Sequence, residues 1–189
     1  MSHLSAFTEN NPKLRTLLAQ VPELEDQIHL LNETLSEDSP LSTANRDWVF
    51  WACLHALRDP ELLVWAKQQF PAPCADTQKG VLLASSRMAV TNPYFMARNI
   101  QPLQAGGSLD SLEMRPFSAL DVSDACGYHY ACVAISAVNG GFVCYNSHLH
   151  SLKTSGESDA AIDQALRLVA ALCSLRQIFF NAASLTDKA

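Results

Sequence analysis

Residues 136–148 read SAVNGGFVCYNSH, and this stretch indicates the fold class most clearly. Apolar residues at helical spacing lie on both sides of it, whereas runs of alternating β-branched residues are nearly absent from the chain. Gly140 and Gly141 interrupt the helical pattern, because two adjacent glycines cost about 1 kcal/mol each inside a helix. The stretch therefore predicts two helices joined by a tight turn, in an all-α protein.

Outward from this stretch, apolar periodicity and capping residues predict about eight helices. Asp59-Pro60-Glu61 supplies a cap, a first-turn proline and a first-turn acid for one of them. Asp121 or Ser123 is expected to cap the helix that precedes the two glycines. The predicted helices cover residues 12–21, 23–35, 43–57, 60–70, 75–98, 121–138 and 142–154, and Ser158 caps the last one.

Residues 101–116 form the largest irregular segment and contain two further glycines. They are the best boundary between two halves, residues 1–100 and 117–189. The sequence therefore predicts a single domain over residues 1–189 that is built from two helical halves.

A weak internal repeat supports two related halves. Asn92 and Phe95 lie 47 positions before Asn139 and Phe142. Each copy is expected to contain a helix, a break centred on the asparagine and a second helix. The first copy has alanine where the second has Cys144, so thiol chemistry is expected only in the second.

Composition limits the function classes. The 189 residues carry a net charge of −6, with 48% hydrophobic and 17% charged residues, which excludes a disordered chain. The acidic balance argues against nucleic acid or an anionic membrane as a partner. No secretory signal is visible, and the apolar stretch 130–143 is too short to span a bilayer. We therefore expect a cytoplasmic protein with no membrane partner.

The six cysteines show neither a disulfide framework nor the paired CxxC motifs of a zinc site. We therefore expect no metal and no cofactor. Most of the cysteines are expected to be small buried hydrophobes. They are Cys53, Cys74, Cys126, Cys132, Cys144 and Cys173.

Cys144 and His148 are the exception, because their spacing of four places them on one face of a helix. Cys144 also lies in the first turn after the glycines, where free N–H groups and the helix dipole stabilise a thiolate. A nearby imidazole can take the thiol proton. The pair predicts an activated sulfur nucleophile.

The stretch from Ser136 to His148 also resembles the signature of the alkylhydroperoxidase D and carboxymuconolactone decarboxylase superfamily. That signature has an Asn, a small residue, Cys-x-x-Cys and a His four residues beyond the second Cys. The similarity extends to residues 88–95, 112–114 and 152–162, and so covers nearly the whole chain. It implies an all-α fold of two helical halves and a homo-oligomer, a trimer or a multiple of one. It also implies a dithiol that passes electrons from a lipoyl-type donor to a peroxiredoxin, or that reduces peroxide directly.

Carried over residue by residue, the resemblance marks three catalytic residues. Cys144 matches the second cysteine, which attacks peroxide, and His148 matches the histidine of the proton relay. His129 stands where the family has a relay glutamate. Gly141 replaces the first, resolving cysteine, and Val143 replaces a residue that is often polar.

The missing cysteine changes what the site is expected to do. Gly141 and Cys144 form no dithiol, so Cys126, Cys132 or Cys173 would have to resolve an oxidised Cys144, or an external thiol would. A Gly141→Cys variant is expected to restore the disulfide, unless Gly141 adopts a conformation that only glycine tolerates.

Three functions stay open. The leading one is an antioxidant thiol protein that reduces peroxides or a peroxiredoxin partner through Cys144. The alternative is a catalytically silent oligomeric scaffold or small-molecule binding protein of the same fold. The third is a decarboxylase-type acid–base enzyme that uses His129 or His148.

The last helix adds a reason to expect the homo-oligomer. Ile162 and Val169 mark one apolar face, and Leu168, Leu172 and Leu175 mark another. A helix that is apolar on two faces needs more cover than one neighbour provides, which predicts a subunit contact.

Overall fold

Residues 11–185 are described by a computed structural model, and they form eight α-helices and no β-strand. The all-α prediction is confirmed; residues 1–10 and 186–189 of the two predicted halves lie outside the described range. The helices are α1 (Pro12–Gln20), α2 (Glu25–Thr34), α3 (Thr43–Leu57), α4 (Pro60–Gln69), α5 (Ala75–Ile100), α6 (Ala125–Asn139), α7 (Phe142–Thr154) and α8 (Asp159–Ser184). Short 3₁₀ turns lie at Pro22–Leu24, Asp110–Leu112 and Phe117–Ala119.

Side-chain caps set several helix starts. Asp59 and Ser158 accept hydrogen bonds from backbone amides three residues on, as predicted. The predicted start of α6 is wrong, because the backbone stays non-helical as far as Asp124. Asp124 is the cap and accepts from the Gly127 amide at 2.9 Å. Asp121 instead pairs with Lys79 of α5.

The predicted break at Asn92 is also wrong, because α5 continues through Pro93. Pro93 removes one N–H from the helix ladder and its ring crowds the preceding turn, but it lies on the exposed face of the long helix α5, which continues through it. In the second copy Gly140 has φ 69°, a left-handed conformation that ends α6. The two repeat asparagines nevertheless meet, since the Nδ2 of Asn139 donates to the Oδ1 of Asn92 at 3.1 Å.

Helix α3 lies at the centre of the core and packs against α5, α6 and α8. Trp48 of α3 is 2% exposed, and its ring fills the space above Gly80 of α5 and Gly127 of α6. The absence of a Cβ at both glycines lets the three helices approach closely. Trp51 and Trp65 are buried as well, so all three tryptophans pack in the core.

The apolar faces of α8 are covered inside the protomer. Leu168, Leu172 and Leu175 are buried, and α8 packs against α1, α2 and α3. The two-faced pattern of α8 is therefore explained by intramolecular neighbours and does not by itself require a subunit contact. The expectation of a homo-oligomer now depends on the resemblance alone.

Helix α8 is also long and apolar enough to cross a membrane, with a mean hydropathy of 1.2 in its most apolar window. The sequence had indicated no such stretch. Half of that window is buried inside the protein, and a core helix meets the same criteria. The hydropathy of α8 is thus weak support for a membrane span.

Candidate active site

The amino-terminal end of α7 borders an apolar cavity of about 470 Å³. Helices α5 and α6 form its other walls, together with the irregular segment between them. All three predicted catalytic residues line it: Cys144, His148 and His129. The remaining lining residues are Arg87, Met88, Thr91, Phe95, Leu109, Phe117, Leu120, Tyr128, Val143, Ser147 and Ser151.

Cys144 is the third residue of α7, after the N-cap residue Gly141. Its side chain is 7% exposed and forms part of the cavity wall. The first-turn amides of a helix have no intrahelical partner, and they stabilise negative charge together with the helix dipole. The thiol of Cys144 therefore lies at the amino-terminal end of α7, beside space for a small molecule.

His129 of α6 and His148 of α7 are hydrogen-bonded to each other, with 2.9 Å between their Nδ1 atoms. Burial, with His129 and Arg87 nearby, lowers the pKa of His148 to about 4. Burial also lowers the pKa of His129. Two neutral rings suit a single Nδ1–H···Nδ1 hydrogen bond, in which one ring donates and the other accepts.

The direction of that hydrogen bond decides what His148 can do. If the Nδ1 of His148 donates, its Nε2 carries a lone pair that can accept the proton of a thiol. His129 is then the acceptor at Nδ1 and keeps a proton on its own Nε2. This tautomer makes the pair a neutral proton relay, in place of the carboxylate–histidine pair implied by the resemblance.

Arg87 is the functional candidate that the sequence did not reveal. Its guanidinium lines the cavity, donates to the backbone carbonyl of Arg115 at 2.7 Å and is hydrogen-bonded to Tyr128. Within residues 11–185 no carboxylate forms an ion pair with it. The only available signal was its position directly before the matched stretch at residues 88–95. Arg87 supplies a positive charge to an otherwise apolar cavity.

The side chain of Asn92 requires a glycine at position 141, whereas the backbone conformation there does not. The φ of Gly141 is −82°, which any residue can adopt, so the conformation that only glycine tolerates is not the obstacle to Gly141→Cys. A Cβ at this position would overlap the side chain of Asn92 and lie 2.7 Å from its Cβ. Asn92 is buried and also donates to Ser136 at 3.0 Å. Asn92 thus occupies the space beside residue 141, so Gly141→Cys cannot simply restore a dithiol.

The three other candidate resolving cysteines have different neighbours in the structure. Cys173 is hydrogen-bonded to Cys53, and Cys126 accepts from the Nδ2 of Asn45 at 3.7 Å. Cys132 is fully buried and interacts electrostatically with Cys144, and burial raises its pKa. Of the three, Cys132 is the one that the structure associates with Cys144.

Two smaller points complete the site. His150 of α7 is exposed, and Val143 contributes an apolar wall to the cavity. The described residues contain no group of three or more His, Cys, Asp and Glu side chains that could hold a metal ion.

The chain is similar to curated proteins named alkyl hydroperoxide reductase AhpD. The relative from Caulobacter vibrioides is 28% identical over 177 residues, which is 91% of this chain and 95% of the relative. The one from Solibacter usitatus is 26% identical over 170 residues, 88% of this chain and 94% of the relative. The one from Coxiella burnetii is 27% identical over 169 residues, 87% and 96% respectively. No family model matches the chain. The chain is thus similar to AhpD proteins over about nine-tenths of its length, and its all-helical fold is consistent with an AhpD-like fold.

Proposed function

We propose that this protein reduces organic hydroperoxides through Cys144, with a single active-site cysteine in place of a dithiol. One observation carries the proposal: the thiol at the start of α7 faces the same apolar cavity as a neutral, hydrogen-bonded histidine pair. The nucleophile, a base and space for a substrate thus meet at one place. The names of the relatives support the same class of reaction.

In the proposed reaction the sulfur of Cys144 attacks the outer oxygen of the hydroperoxide. The O–O bond breaks, the sulfur becomes a sulfenic acid and the peroxide becomes an alcohol. His148 takes the thiol proton, which ends on the oxygen of the departing alcohol. The guanidinium of Arg87 stabilises negative charge on the sulfur and on the leaving oxygen.

A dithiol donor completes the cycle. Its first thiol condenses with the sulfenic acid, which releases water and leaves a mixed disulfide. Its second thiol then displaces Cys144, so the donor leaves as a cyclic disulfide and Cys144 returns to the thiol. A lipoyl-type donor has this chemistry, and a peroxiredoxin is the further partner that the resemblance implies.

The cavity favours an organic peroxide over hydrogen peroxide. Its volume of about 470 Å³ falls in the range of small-molecule sites, and most of its lining side chains are apolar. An alkyl or aryl group would displace water from these walls, which contributes binding free energy. A peroxide without such a group gains none of it.

The proposal also covers the location of the protein in the cell and its assembly. The acidic composition and the resemblance favour a cytoplasmic protein that forms a trimer or a multiple of one. Nucleic acid and membranes are not proposed as partners.

A catalytically silent binding protein is the second candidate, and the pair Asn92–Gly141 favours it. The buried Asn92 side chain fills the space beside the position of the missing resolving cysteine. A protein that only binds a small molecule in the cavity needs no resolving cysteine, so this packing would not impair its function.

The two candidates differ in peroxide consumption. Cumene hydroperoxide and dihydrolipoamide are supplied to the wild type, to Cys144→Ser and to Cys74→Ser, a control at an exposed thiol. We expect turnover in the wild type and in Cys74→Ser, and a much lower rate in Cys144→Ser. Equal consumption by the wild type and Cys144→Ser would reject the peroxidase and support the binding protein.

A further inference from the structure

A second pair of thiols lies away from the cavity, where α3 packs against α8. Cys53 of α3 is 0% exposed, and Cys173 of α8 is half-buried. The two side chains are hydrogen-bonded to each other, and neither lines the cavity around Cys144. Both are free thiols. Two thiols in contact are a potential disulfide, whichever function the cavity serves.

The two thiols differ in a way that suits attack followed by resolution. The Cys53 thiol, with Arg176 nearby, lowers the pKa of Cys173 to about 7. The same contact and complete burial raise the pKa of Cys53. Cys173 is therefore the accessible thiol that a peroxide can reach first, whereas the fully buried Cys53 is protected and suited to resolve it.

We propose that Cys53 and Cys173 form a second redox centre, independent of Cys144, that closes to an intramolecular disulfide on oxidation by a hydroperoxide. The Cys173 thiolate attacks the outer peroxide oxygen, which gives a sulfenic acid and, with one proton, an alcohol. The sulfur of Cys53 then attacks the sulfur of Cys173. The Cys53 proton and the displaced hydroxyl leave as water, so the two thiols lose the two electrons that the O–O bond takes up.

The disulfide would tie the central helix α3 covalently to α8. Helix α3 also supports α6, which carries His129. Oxidation would thus restrict the movement of the helices that support the cavity, and it would leave Cys144 unmodified. An external thiol would reduce the disulfide by exchange. The centre is a reversible modification site in a part of the molecule to which the resemblance assigns no chemistry.

Mass spectrometry of the full chain tests the proposal. The reduced protein is treated with cumene hydroperoxide, remaining thiols are blocked with N-ethylmaleimide, and the protein is digested with trypsin without reduction. Trypsin places Cys53 in peptide 47–58 and Cys173 in peptide 168–176, each as the single cysteine of its peptide. We expect these two peptides to be joined by a disulfide that dithiothreitol removes.

Variants make the test independent of the cavity and of folding. The link is expected to persist in Cys144→Ser, even if the proposed peroxidase function fails, and in the matched control Cys126→Ser. It should be absent from Cys173→Ser, a conservative change at a partly exposed position that leaves the buried Cys53 in place. Recovery of both wild-type peptides as maleimide adducts, or of oxidised Cys173 beside a free Cys53, would overturn the proposal.

Discussion

Asn92 and Gly141 are complementary in size, and this pair controls whether a second cysteine fits beside Cys144. A Cβ at residue 141 would overlap Asn92, which is held in place by hydrogen bonds to Met88, Ser136 and Asn139. Gly141→Cys should therefore lower the free energy of unfolding by about 1–3 kcal/mol. Urea denaturation measures the loss.

The double variant Asn92→Gly/Gly141→Cys removes the obstruction at a cost of about 1 kcal/mol for a glycine in a helix. It should form a reversible disulfide between residues 141 and 144, because residues three apart at a helix start lie within disulfide reach. Thiol counts before and after mild oxidation would show the bond. A single variant as stable as the wild type would mean that Asn92 yields easily, contrary to this account.

The low pKa of His148 predicts that the folded protein loses stability in acid. This pKa is about 4 in the folded protein against 6.5 for an ordinary histidine, so between these pH values the unfolded chain binds a proton that the folded one does not. The stabilisation is complete above pH 6.5 and is lost as the pH falls towards 4, by at most about 3 kcal/mol.

Urea denaturation at several pH values measures this dependence. His148→Gln should flatten the decline between pH 6.5 and 4, whereas the control His150→Gln, at an exposed position of the same helix, should keep the wild-type slope. Parallel curves for the wild type and His148→Gln would contradict the assignment to His148.

Sequence spacing located Cys144 and His148, because both lie on one helix where a separation of four residues has a geometric meaning. The resemblance added His129, which the structure brings into hydrogen-bond contact with His148. Arg87 and the pair Cys53–Cys173 could not be predicted in this way. Their partners lie on other helices, and no periodicity connects residues that far apart in the chain.

At the scale of helices, the Trp48 side chain of α3 packs against Gly80 of α5 and Gly127 of α6. Alanine at Gly127 would improve the helix propensity of α6 by about 1 kcal/mol, but its Cβ would overlap the buried indole. Gly127→Ala should therefore destabilise the protein by about 1–3 kcal/mol despite the better propensity. The change in the denaturation midpoint measures the effect.

A double-mutant cycle shows where that loss originates. In Gly127→Ala/Trp48→Leu the smaller side chain relieves the overlap, so the double variant should lose less stability than the sum of the single variants. Additive losses would show that the indole and residue 127 do not press on each other.

Helix boundaries were predictable where a local signal sets them, as at the caps Asp59 and Ser158. The start of α6 was missed because several polar residues before it were equivalent cap candidates, and the contact with Lys79 that draws Asp121 away is not local. The repeat suggested a break at Asn92, but only the second copy has a left-handed glycine to end its helix.

At the scale of the whole molecule, a homo-oligomer stays a prediction that depends on the resemblance. Leu168, Leu172 and Leu175 of α8 are buried within the protomer, whereas several large apolar side chains stay exposed, among them Leu82, Val90, Phe142 and Phe180. We expect sedimentation at micromolar concentration to give a species of three chains or a multiple of three. A single 20.7 kDa species would rule out a stable assembly under those conditions.

The rate at which peroxide first oxidises Cys144 shows whether the cavity activates the thiol of this residue. The second-order rate constant with cumene hydroperoxide is measured in a Cys173→Ser background, with dimedone trapping to locate the sulfenic acid. We predict modification at Cys144 at least about tenfold faster than for free cysteine at pH 7, and a slower rate in His148→Gln. A rate equal to that of free cysteine and unchanged in His148→Gln would contradict the account.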